Sequence, residues 1–194
     1  GLVAVDYLSH SIRAFVNDKE DPRSIQDNTL QSIYIDDDAT MWVGTYKNGV
    51  AYYSESTYKF RNIAIGDICT ITEDHQGNYW CGSNDSGIVV YNPFTHSSRR
   101  YNTRNSALQS EVVVSSCCAR DGSMWFGTYN GGLSHYQNGK FITYRKRNGG
   151  LANDNVWSIV EDKKGNIWIG TLGSGVQMFD HNTGIFTTYN VANT

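Results

Sequence analysis

Long apolar runs, basic clusters and helical periodicity are all missing from this sequence. No apolar stretch reaches the length of about 18 residues that a membrane-spanning helix needs. Lys and Arg number 16 against 19 Asp and Glu, and they form no stripe or run, so nucleic acid is not expected as a partner. Proline is scarce, with 2 residues, whereas glycine is frequent, with 19. Together with 13% aromatic residues, this composition indicates a folded, strand-rich chain.

Cysteine and histidine are also few, and neither is spaced like the ligands of a metal site. The four cysteines fall in predicted strands: Cys69, Cys81, Cys117 and Cys118. Cys69 and Cys81 could form a disulfide, but their diagonal positions in adjacent strands favour free thiols that pack as small apolar side chains. Asp36, Asp37 and Asp38 lack the Gly and distal Glu of a calcium loop. With no Ser/His/Asp motif either, the sequence predicts no metal, cofactor or catalytic residue.

What the sequence does contain is a repeat. Four tetrapeptides share one pattern: Trp42–Thr45, Trp80–Ser83, Trp125–Thr128 and Trp168–Thr171. Successive tryptophans are 38, 45 and 43 residues apart. This period is typical of a β-propeller with one four-stranded blade per repeat. Because a blade cannot bury its two faces alone, it needs neighbouring blades on both sides.

The last repeat shows the expected strands most clearly. Residues 156–160 are largely β-branched and apolar, which favours a first strand packed on both faces. The other three strands are predicted over residues 167–171, 175–179 and 185–189. The glycine two positions after each Trp is expected to let a side chain of a neighbouring blade approach the backbone. The recurrent Trp residues and the aromatic residues that follow are expected in the core: Trp42, Trp80, Trp125, Trp168, Tyr53, Tyr91, Tyr136 and Phe179.

The repeat predicts an all-β fold, namely a partial β-propeller that forms a single domain over residues 1–194. Residues 1–6 align with residues 175–180, so the chain opens in the middle of a blade. We expect about four and a half four-stranded blades: a half blade over 1–20 and whole blades over 24–62, 63–104, 107–147 and 150–190. This number is low for a closed ring. The chain is therefore expected to be a piece of a larger propeller, or else to pair with a second copy as a homodimer.

The repeat resembles a known family. Residues 151–162, 165–171 and 175–176 read Leu-Ala-Asn-Asp-Asn-Val-Trp-Ser-Ile-Val-Glu-Asp, Gly-Asn-Ile-Trp-Ile-Gly-Thr and Gly-Val. They are similar to the two-component regulator propeller repeat, whose consensus is N-x-V-x-x-I-x-E-D-x-x-G-x-L-W-I-G-T. The resemblance covers essentially the whole chain. Two repeats depart from the pattern, with Ala119 in place of the acidic residue and Ala39 in place of the glycine.

The resemblance implies a function that the fragment alone does not. Such repeats form the extracytoplasmic half of hybrid two-component sensors, in which two seven-bladed propellers and a small sandwich domain precede one membrane helix. A histidine kinase, a receiver and a DNA-binding domain follow inside the cell. The resemblance therefore implies a periplasmic fragment of a larger, seven-bladed ring that senses glycan fragments for polysaccharide-utilisation genes. Any kinase activity and any membrane contact would belong to the parent chain, outside these residues.

Candidate ligand-binding residues lie on the loops expected at one end of the blades. Amide and carboxylate side chains beside exposed aromatic rings suit an oligosaccharide, because sugars present both hydroxyls and C–H faces. The same residue types are also common in ordinary turns. Trp157 breaks the repeat symmetry, since the other blades carry Gln31, Cys69 and Val114 there. The candidates are Tyr46, Lys47, Asn84, Asp85, Arg104, Tyr129, Asn130, Asp154 and Trp157.

Two other functions stay open at this point. A propeller hydrolase or lyase would need a pair of carboxylates in a cleft, for which Asp85 and Asp154 are the candidates. A protein-interaction scaffold would use the same loops to dock a protein partner.

Overall fold

A computed structural model describes residues 1–54, 59–148 and 150–192, with side chains for all of them except residues 59–61. The chain divides into two compact units, residues 1–71 and 72–194. Within the described ranges every helical or extended element is a β-strand. The expectation of a single domain over the whole chain stays a prediction.

The first unit contains a two-stranded sheet and a four-stranded antiparallel sheet. Its strands are β1 (Leu2–Val5), β2 (Ile12–Phe15), β3 (Leu30–Ile35), β4 (Met41–Thr45), β5 (Val50–Ser54) and β6 (Lys59–Ile63). The pair β1-β2 is called the half-blade here, and the sheet with the order β3-β4-β5-β6 is called blade 1. Each strand pairs with the next strand in sequence, so blade 1 is an up-and-down meander.

The second unit contains three further meanders. Its strands are the end of β7 (Ile68–Glu73), then β8 (Tyr79–Ser83), β9 (Ile88–Asn92), β10 (Ser97–Tyr101), β11 (Val113–Cys118), β12 (Met124–Thr128), β13 (Gly132–Gln137), β14 (Lys140–Tyr144), β15 (Val156–Glu161), β16 (Ile167–Thr171), β17 (Gly175–Asp180) and β18 (Ile185–Tyr189). They form blade 2 (β7–β10), blade 3 (β11–β14) and blade 4 (β15–β18), each in sequential order. The bounds of β16 and β18 are those that the repeat predicts.

The first strand of a blade carries a β-bulge that the sequence pattern did not reveal. The register shifts between Leu30 and Ser32 in blade 1, between Val113 and Ser115 in blade 3, and between Val156 and Ser158 in blade 4. In each case one extra residue on the first strand has no direct partner on the second. In blade 4 that extra residue is Trp157.

The bulge explains the paired serine and glycine of the repeat. Ser115 lies opposite Gly127 in the register of blade 3. A Cβ atom on Gly127 would lie 2.2 Å from the Ser115 hydroxyl oxygen and 2.7 Å from a Val156 methyl group of blade 4. On Gly170 it would lie 2.2 Å from the Ser158 hydroxyl oxygen. The nearest atom at both glycines belongs to a serine of the same blade. The expected approach of a neighbouring blade is observed at Gly127, through Val156, but not at Gly170.

The acidic residue six positions before each Trp has a structural role. The indole N–H donates to the carboxylate in three blades, over 2.9 Å from Trp42 to Asp36, 2.7 Å from Trp80 to Asp74 and 2.9 Å from Trp168 to Asp162. The hydrogen bond from Trp168, together with one from Asn166, lowers the pKa of Asp162. The Asp36 carboxylate also accepts backbone N–H groups of its own turn, as expected for an acidic turn.

Blade 3 replaces this arrangement, because Ala119 has no carboxylate. There the Trp125 indole N–H donates to the Ser123 hydroxyl over 3.1 Å, and Ser123 in turn donates to Asp121 over 2.6 Å. His135 stacks on the Trp125 ring with centroids 4.1 Å apart. Blade 3 thus satisfies the same indole group with a different set of side chains.

The core of the second unit lies between its blades. One cluster joins blades 2 and 3 and contains Trp80, Ile88, Tyr101, Leu108, Val113, Met124 and Phe126. The other joins blades 3 and 4 and contains Ala119, Trp125, Leu133, Leu151, Val156, Ile167, Ile169 and Phe179. Each junction therefore buries the Trp of one blade against the aliphatic strands of the next.

The first unit has a smaller core between the half-blade and blade 1. It contains Leu2, Ile25, Val43 and Ala51, with Phe15, Leu30, Met41 and Tyr53 packed against it. Tyr53 is partly exposed, so its expected full burial is not observed in this unit. Tyr136 of blade 3 is likewise only partly buried and packs against the cluster between blades 2 and 3.

The expectation that the first strand of blade 4 is packed on both faces is wrong. Trp157 and Val160 are 51% and 59% exposed, although Val156 of the same strand is buried. Trp168 is half-buried, whereas the equivalent Trp125 is fully buried. The reason is that blade 3 covers one face of blade 4, and no other described part of the second unit covers its second face.

All four cysteines are free thiols, as expected. Only Cys81 is fully buried, and burial raises the pKa of its thiol to about 12. The other three are half-buried, so the expectation that all four are buried is only partly met. Burial also raises the pKa of Cys118, to about 11, which keeps this thiol protonated at neutral pH.

Candidate functional site

The loops between the second and third strands are fixed by the last residue of the repeated tetrapeptide. The hydroxyl of this Thr or Ser donates to the carbonyl of a glycine four residues later, for example over 2.8 Å from Thr128 to Gly132. The glycine has a positive φ of 86°, which a residue without Cβ adopts at little cost. The same bond recurs in the other blades, from Thr45, Ser83 and Thr171. The repeat therefore presents these loops on a rigid base.

The linkers between blades are bonded to the same loops. Gly132 donates its backbone N–H to the Asp154 carbonyl over 2.9 Å, and Leu172 donates to the Asn155 carbonyl over 3.0 Å. One linker is thus bonded to the loop of blade 3 and to the loop of blade 4. Gly87 and Glu111 make the equivalent bond between blades 2 and 3, over 2.9 Å. Each of these linkers therefore ties its backbone to the loop of the preceding blade.

In the first unit the structure places Tyr46 and Lys47 side by side. Tyr46 is 39% exposed, and the Lys47 ammonium nitrogen lies 5.2 Å from the centroid of its ring. Next to them, Asn48 donates to the Gln26 carbonyl over 3.2 Å and to the Asp27 carboxylate over 3.3 Å. The two candidates form an exposed aromatic and cationic pair on a fixed loop.

In the second unit the aromatic candidates are exposed. Tyr129 follows β12 directly and is 44% exposed, and Trp157 is 51% exposed at the bulge of β15. The Tyr129 backbone N–H donates to the Val112 carbonyl over 3.0 Å, which fixes the base of its side chain. Both rings are available to a ligand from solvent.

Asn130 and Asp154 are brought together by a residue that the sequence did not single out. Arg145 donates over 2.9 Å both to the Asn130 carbonyl and to the Asp154 carboxylate. The second carboxylate oxygen of Asp154 accepts the Lys146 backbone N–H over 2.7 Å. Asn155 also accepts the Asn130 backbone N–H over 2.9 Å. These contacts give Asp154 a role in holding the linker on the loop.

The remaining candidates lie on exposed turns of blade 2 and the linker after it. Asp85 accepts a hydrogen bond of 2.6 Å from the Ser86 hydroxyl, and Asn84 is exposed beside it. Arg104 is exposed, and its backbone N–H donates to the Asn102 side chain over 3.0 Å. The proposed pairing of Asp85 with Asp154 stays a prediction, but both oxygens of Asp154 are already engaged.

No group of His, Cys, Asp or Glu in the described residues is arranged so that it could hold a metal ion. Among the same residues, no helix has the length and apolar character needed to cross a membrane. The exposed rings, amides and hydroxyls of the loops can hydrogen-bond and stack on a polar ligand. The only signal of Arg145 in the sequence is that it directly follows the predicted fourth strand of blade 3, in the same linker as the acidic Asp154.

Four-stranded meanders that repeat along the chain and bury their faces against one another define a β-propeller. Two of the repeats, residues 107–130 and 150–173, match the sequence profile of the two-component regulator propeller family. These two segments therefore match the repeat that the sequence pattern indicated. None of the curated proteins matches the chain significantly.

Solved structures confirm the predicted all-β propeller fold. The extracellular domain of a hybrid two-component system from B. thetaiotaomicron is 25% identical, with a TM-score of 0.79 over 93% of this chain and 26% of that one. PorZ, a surface component of the type-IX secretion system of Porphyromonas gingivalis, is 15% identical, with a TM-score of 0.74 over 95% of this chain and 31% of that one. Virginiamycin B lyase from Staphylococcus aureus is 15% identical, with a TM-score of 0.70 over 86% of this chain and 57% of that one. The chain spans about a quarter to a third of the first two structures.

Proposed function

We propose that this chain is part of the extracytoplasmic sensor propeller of a hybrid two-component system. The observation that carries the proposal is the match of two repeats to the two-component regulator propeller family. The similarity of 93% of the chain to the extracellular domain of such a system supports it. In this proposal the parent chain supplies the membrane anchor and the histidine kinase, and the fragment itself is not an enzyme.

The ligand in this proposal is a glycan fragment bound by the loops at one end of the blades. Tyr129 and Trp157 would stack on the C–H faces of sugar rings. Backbone and side-chain amides of the loops would bond the hydroxyls, which both donate and accept. Such a ligand can signal only if it binds one state of the sensor more tightly than the other. The linker from residue 145 to residue 155 supports this route, because its bonds join the loop of blade 3 to blade 4.

The partner at the exposed face of blade 4 is, in this proposal, a further blade of the parent propeller. Val176 of blade 4 is equivalent to Leu133 of blade 3 and Ile88 of blade 2. Leu133 and Ile88 are fully buried by the next blade, whereas Val176 is 42% exposed. Burying such apolar surface stabilises by about 25 cal/mol per Å². A second copy of this chain is the other possible occupant, and it would give a homodimer.

Titration calorimetry of the complete extracytoplasmic domain with a panel of oligosaccharides tests the ligand. The expected result is binding to at least one glycan that Tyr129→Ala or Trp157→Ala weakens about tenfold, which corresponds to about 1.4 kcal/mol. The matched control is Phe94→Ala, because Phe94 is exposed on the turn between β9 and β10, at the opposite end of its blade. Failure of the domain to bind any glycan would count against the proposal.

A propeller lyase or hydrolase remains the second candidate function. The sequence left it open, and the similarity to virginiamycin B lyase, at 15% identity, concerns the fold alone. Incubation with candidate polysaccharides separates the two functions, because an enzyme would produce new chain ends and a sensor would not. Co-purification of a protein partner that glycans do not displace would instead support an interaction scaffold.

A further inference from the structure

The two blade junctions of the second unit are built from equivalent positions, but the space beside the Trp ring is filled in one and open in the other. Trp125 faces His135 across β12 and β13, and Trp80 faces the smaller Val90 across β8 and β9. Between blades 3 and 4 the space beside Trp125 is occupied by His135 and by His181, whose ring centroids are 6.2 Å apart. Between blades 2 and 3 a cleft of about 380 Å³ remains beside Trp80.

The cleft is open because blade 3 sends no side chain equivalent to His181 into it. His181 follows β17 of blade 4 in the turn 181–184, which leads into β18. The equivalent position in blade 3 is Asn138, which has a positive φ of 51° in the tight turn between β13 and β14. Asn138 is not among the residues that line the cleft. The two junctions therefore differ because of their side chains and the turn after the third strand, and not because of the arrangement of their strands.

Three aromatic rings form the apolar wall of the cleft. Trp80 stacks with Tyr101, with centroids 5.8 Å apart and an interplanar angle of 4°, and Tyr136 of blade 3 lies 4.8 Å from Trp80. Ligand pockets for small molecules usually have volumes of about 300–1,000 Å³. The cleft lies near the lower limit, so it suits a ligand of about one ring.

The Asp74 carboxylate and the asparagine side chains at the cleft are already engaged. The Asp74 carboxylate accepts the Trp80 indole N–H over 2.7 Å and backbone N–H groups of Gln76 and Asn78 over 2.9 Å. The Asn78 side-chain oxygen accepts the Asn92 amide over 2.8 Å. Asp74 and the two asparagines therefore serve the turns of blade 2 and offer few acceptors to a ligand.

The donor groups, in contrast, are available. The Arg99 guanidinium lies 4.7 Å from the centroid of the Tyr101 ring, and Arg99 is exposed. No ion pair found among the described residues involves Arg99. The hydroxyls of Tyr101 and Tyr136 lie 3.3 Å apart, so one of the two keeps a proton to donate. Burial, followed by the hydrogen bond with Tyr136, raises the pKa of Tyr101 to about 12.

We propose that the cleft between blades 2 and 3 binds a small carboxylate that carries one ring. The carboxylate bonds the Arg99 guanidinium, which presents N–H groups in a fork that matches two carboxylate oxygens. The ring packs against Tyr101, Tyr136 and Trp80. This site goes beyond the proposed function, because it lies at the end of the blades opposite the glycan-binding loops.

The test uses the chain itself and four probes: glucuronate, benzoate, glucose and acetate. Nuclear magnetic resonance titration is expected to show millimolar binding of glucuronate or benzoate and at least tenfold weaker binding of glucose, which has no charge, and acetate, which has no ring. Arg99→Gln should weaken binding of the ring acid at least tenfold. Arg100→Gln is the matched control, because this exposed neighbour does not line the cleft.

A second variant places a histidine beside Trp80, as His135 lies beside Trp125 at the junction between blades 3 and 4. Val90→His places at blade 2 the residue found at position 135 in blade 3, and it should abolish binding while a melting curve shows that the protein is folded. Tyr129→Ala and Trp157→Ala should leave the binding unchanged, so failure of this site and failure of the glycan proposal can be told apart. Absence of binding to both ring acids, equal binding of acetate, or unchanged binding by Arg99→Gln would overturn the proposal.

Discussion

Ala39 is the residue at which the first repeat departs from the others, and its backbone conformation is unfavourable for a residue with a Cβ atom. It has a positive φ of 58°, where Gly77, Gly122 and Gly165 stand at the equivalent turns with φ of 77°, 82° and 85°. A residue with a Cβ atom pays about 1–2 kcal/mol in this region, and part of that is offset by the larger unfolded-state freedom of glycine.

Ala39→Gly should therefore stabilise the first unit by about 0.5–1 kcal/mol. Urea unfolding followed by fluorescence, with the midpoint compared at equal slope, measures the change. The reverse substitution Gly122→Ala provides the control, since it should destabilise blade 3 through the same backbone effect. A neutral or destabilising Ala39→Gly would show that the turn is not strained.

His135 gives the second unit a dependence on pH. It is 7% exposed, it stacks on Trp125, and its Nε2 atom is buried without a hydrogen-bond partner. Burial lowers the pKa of His135, and His181 lowers it further, against an opposing effect of Asp121. The folded protein therefore takes up this proton less readily than the unfolded chain, in which the pKa is about 6.5. The contribution of His135 to stability is complete above that pH and is lost as the pH falls through it towards the folded pKa.

The free energy of unfolding should fall with a slope of up to about 1.4 kcal/mol per pH unit in this window. His135→Tyr should remove the slope, because tyrosine does not titrate in this pH range. Tyrosine should fit this position, because Tyr52 stacks on Trp42 at the equivalent position of blade 1 with centroids 4.9 Å apart. Urea unfolding at about pH 7.5 and about pH 5.5 makes the comparison across the range in which histidine titrates. His75→Gln is the control, since His75 is exposed in blade 2. An equal slope in His135→Tyr would place the titrating group elsewhere.

At the scale of the strands, the glycine and serine of each bulge act as one unit. A Cβ atom on Gly127 would meet Ser115 of its own blade at 2.2 Å and both a methyl group and the carbonyl oxygen of Val156 at 2.7 Å. Gly170 would meet only Ser158 at short range, at 2.2 Å. Gly127→Ala should therefore destabilise by about 1–3 kcal/mol or more, as overpacking does.

Removal of the serine hydroxyl separates the two cases. Adding Ser158→Ala to Gly170→Ala should restore most of the lost stability, because no other atom lies within 3.5 Å of the new methyl group. Adding Ser115→Ala to Gly127→Ala should restore little, because Val156 remains in the way. The four unfolding free energies of each double-mutant cycle measure this coupling, and equal rescue at both sites would contradict the role of Val156.

The repeat made most elements of the fold predictable, because fixed offsets from each Trp set the strands and their register. The same offsets could not reveal the bulges, since a bulge moves one residue out of the ladder without changing the spacing in sequence. Trp157 illustrates this: its break of symmetry was visible, but its position at the bulge was not. The network of Arg145 and Asp154 was also missed, because it depends on how a linker folds back onto a loop.

At the scale of the molecule, the sequence predicted the propeller but not which faces are covered within this chain. The alternation of apolar residues in β15 is that of a strand between two blades, but Trp157 and Val160 are exposed, which supports the proposal that a further blade covers this face. Relatives of which this chain spans about a quarter to a third fit that interpretation. The ligand could not be predicted further, because turn-forming residues and sugar-binding residues are of the same types.

Substitutions at Leu133 and Val176 can test whether a further blade covers the exposed face of blade 4. They occupy equivalent positions in blades 3 and 4, but Leu133 is fully buried and Val176 is 42% exposed. Leu133→Asp buries a charge and should unfold the second unit. Val176→Asp should change the stability of this chain by no more than about 0.5 kcal/mol, as expected for a surface substitution.

In the complete domain of the proposed sensor, the two variants should have similar effects on stability. If a further blade covers Val176, then Val176→Asp should destabilise that domain severely, as Leu133→Asp does in both proteins. Thermal unfolding of the chain and of the complete domain, each with both variants, gives the comparison. Should Val176→Asp be harmless in the complete domain as well, no further blade of the same chain would cover that face of blade 4. The same variant would then need to be examined for loss of a dimer by sedimentation, because the second copy is the other way to cover this surface.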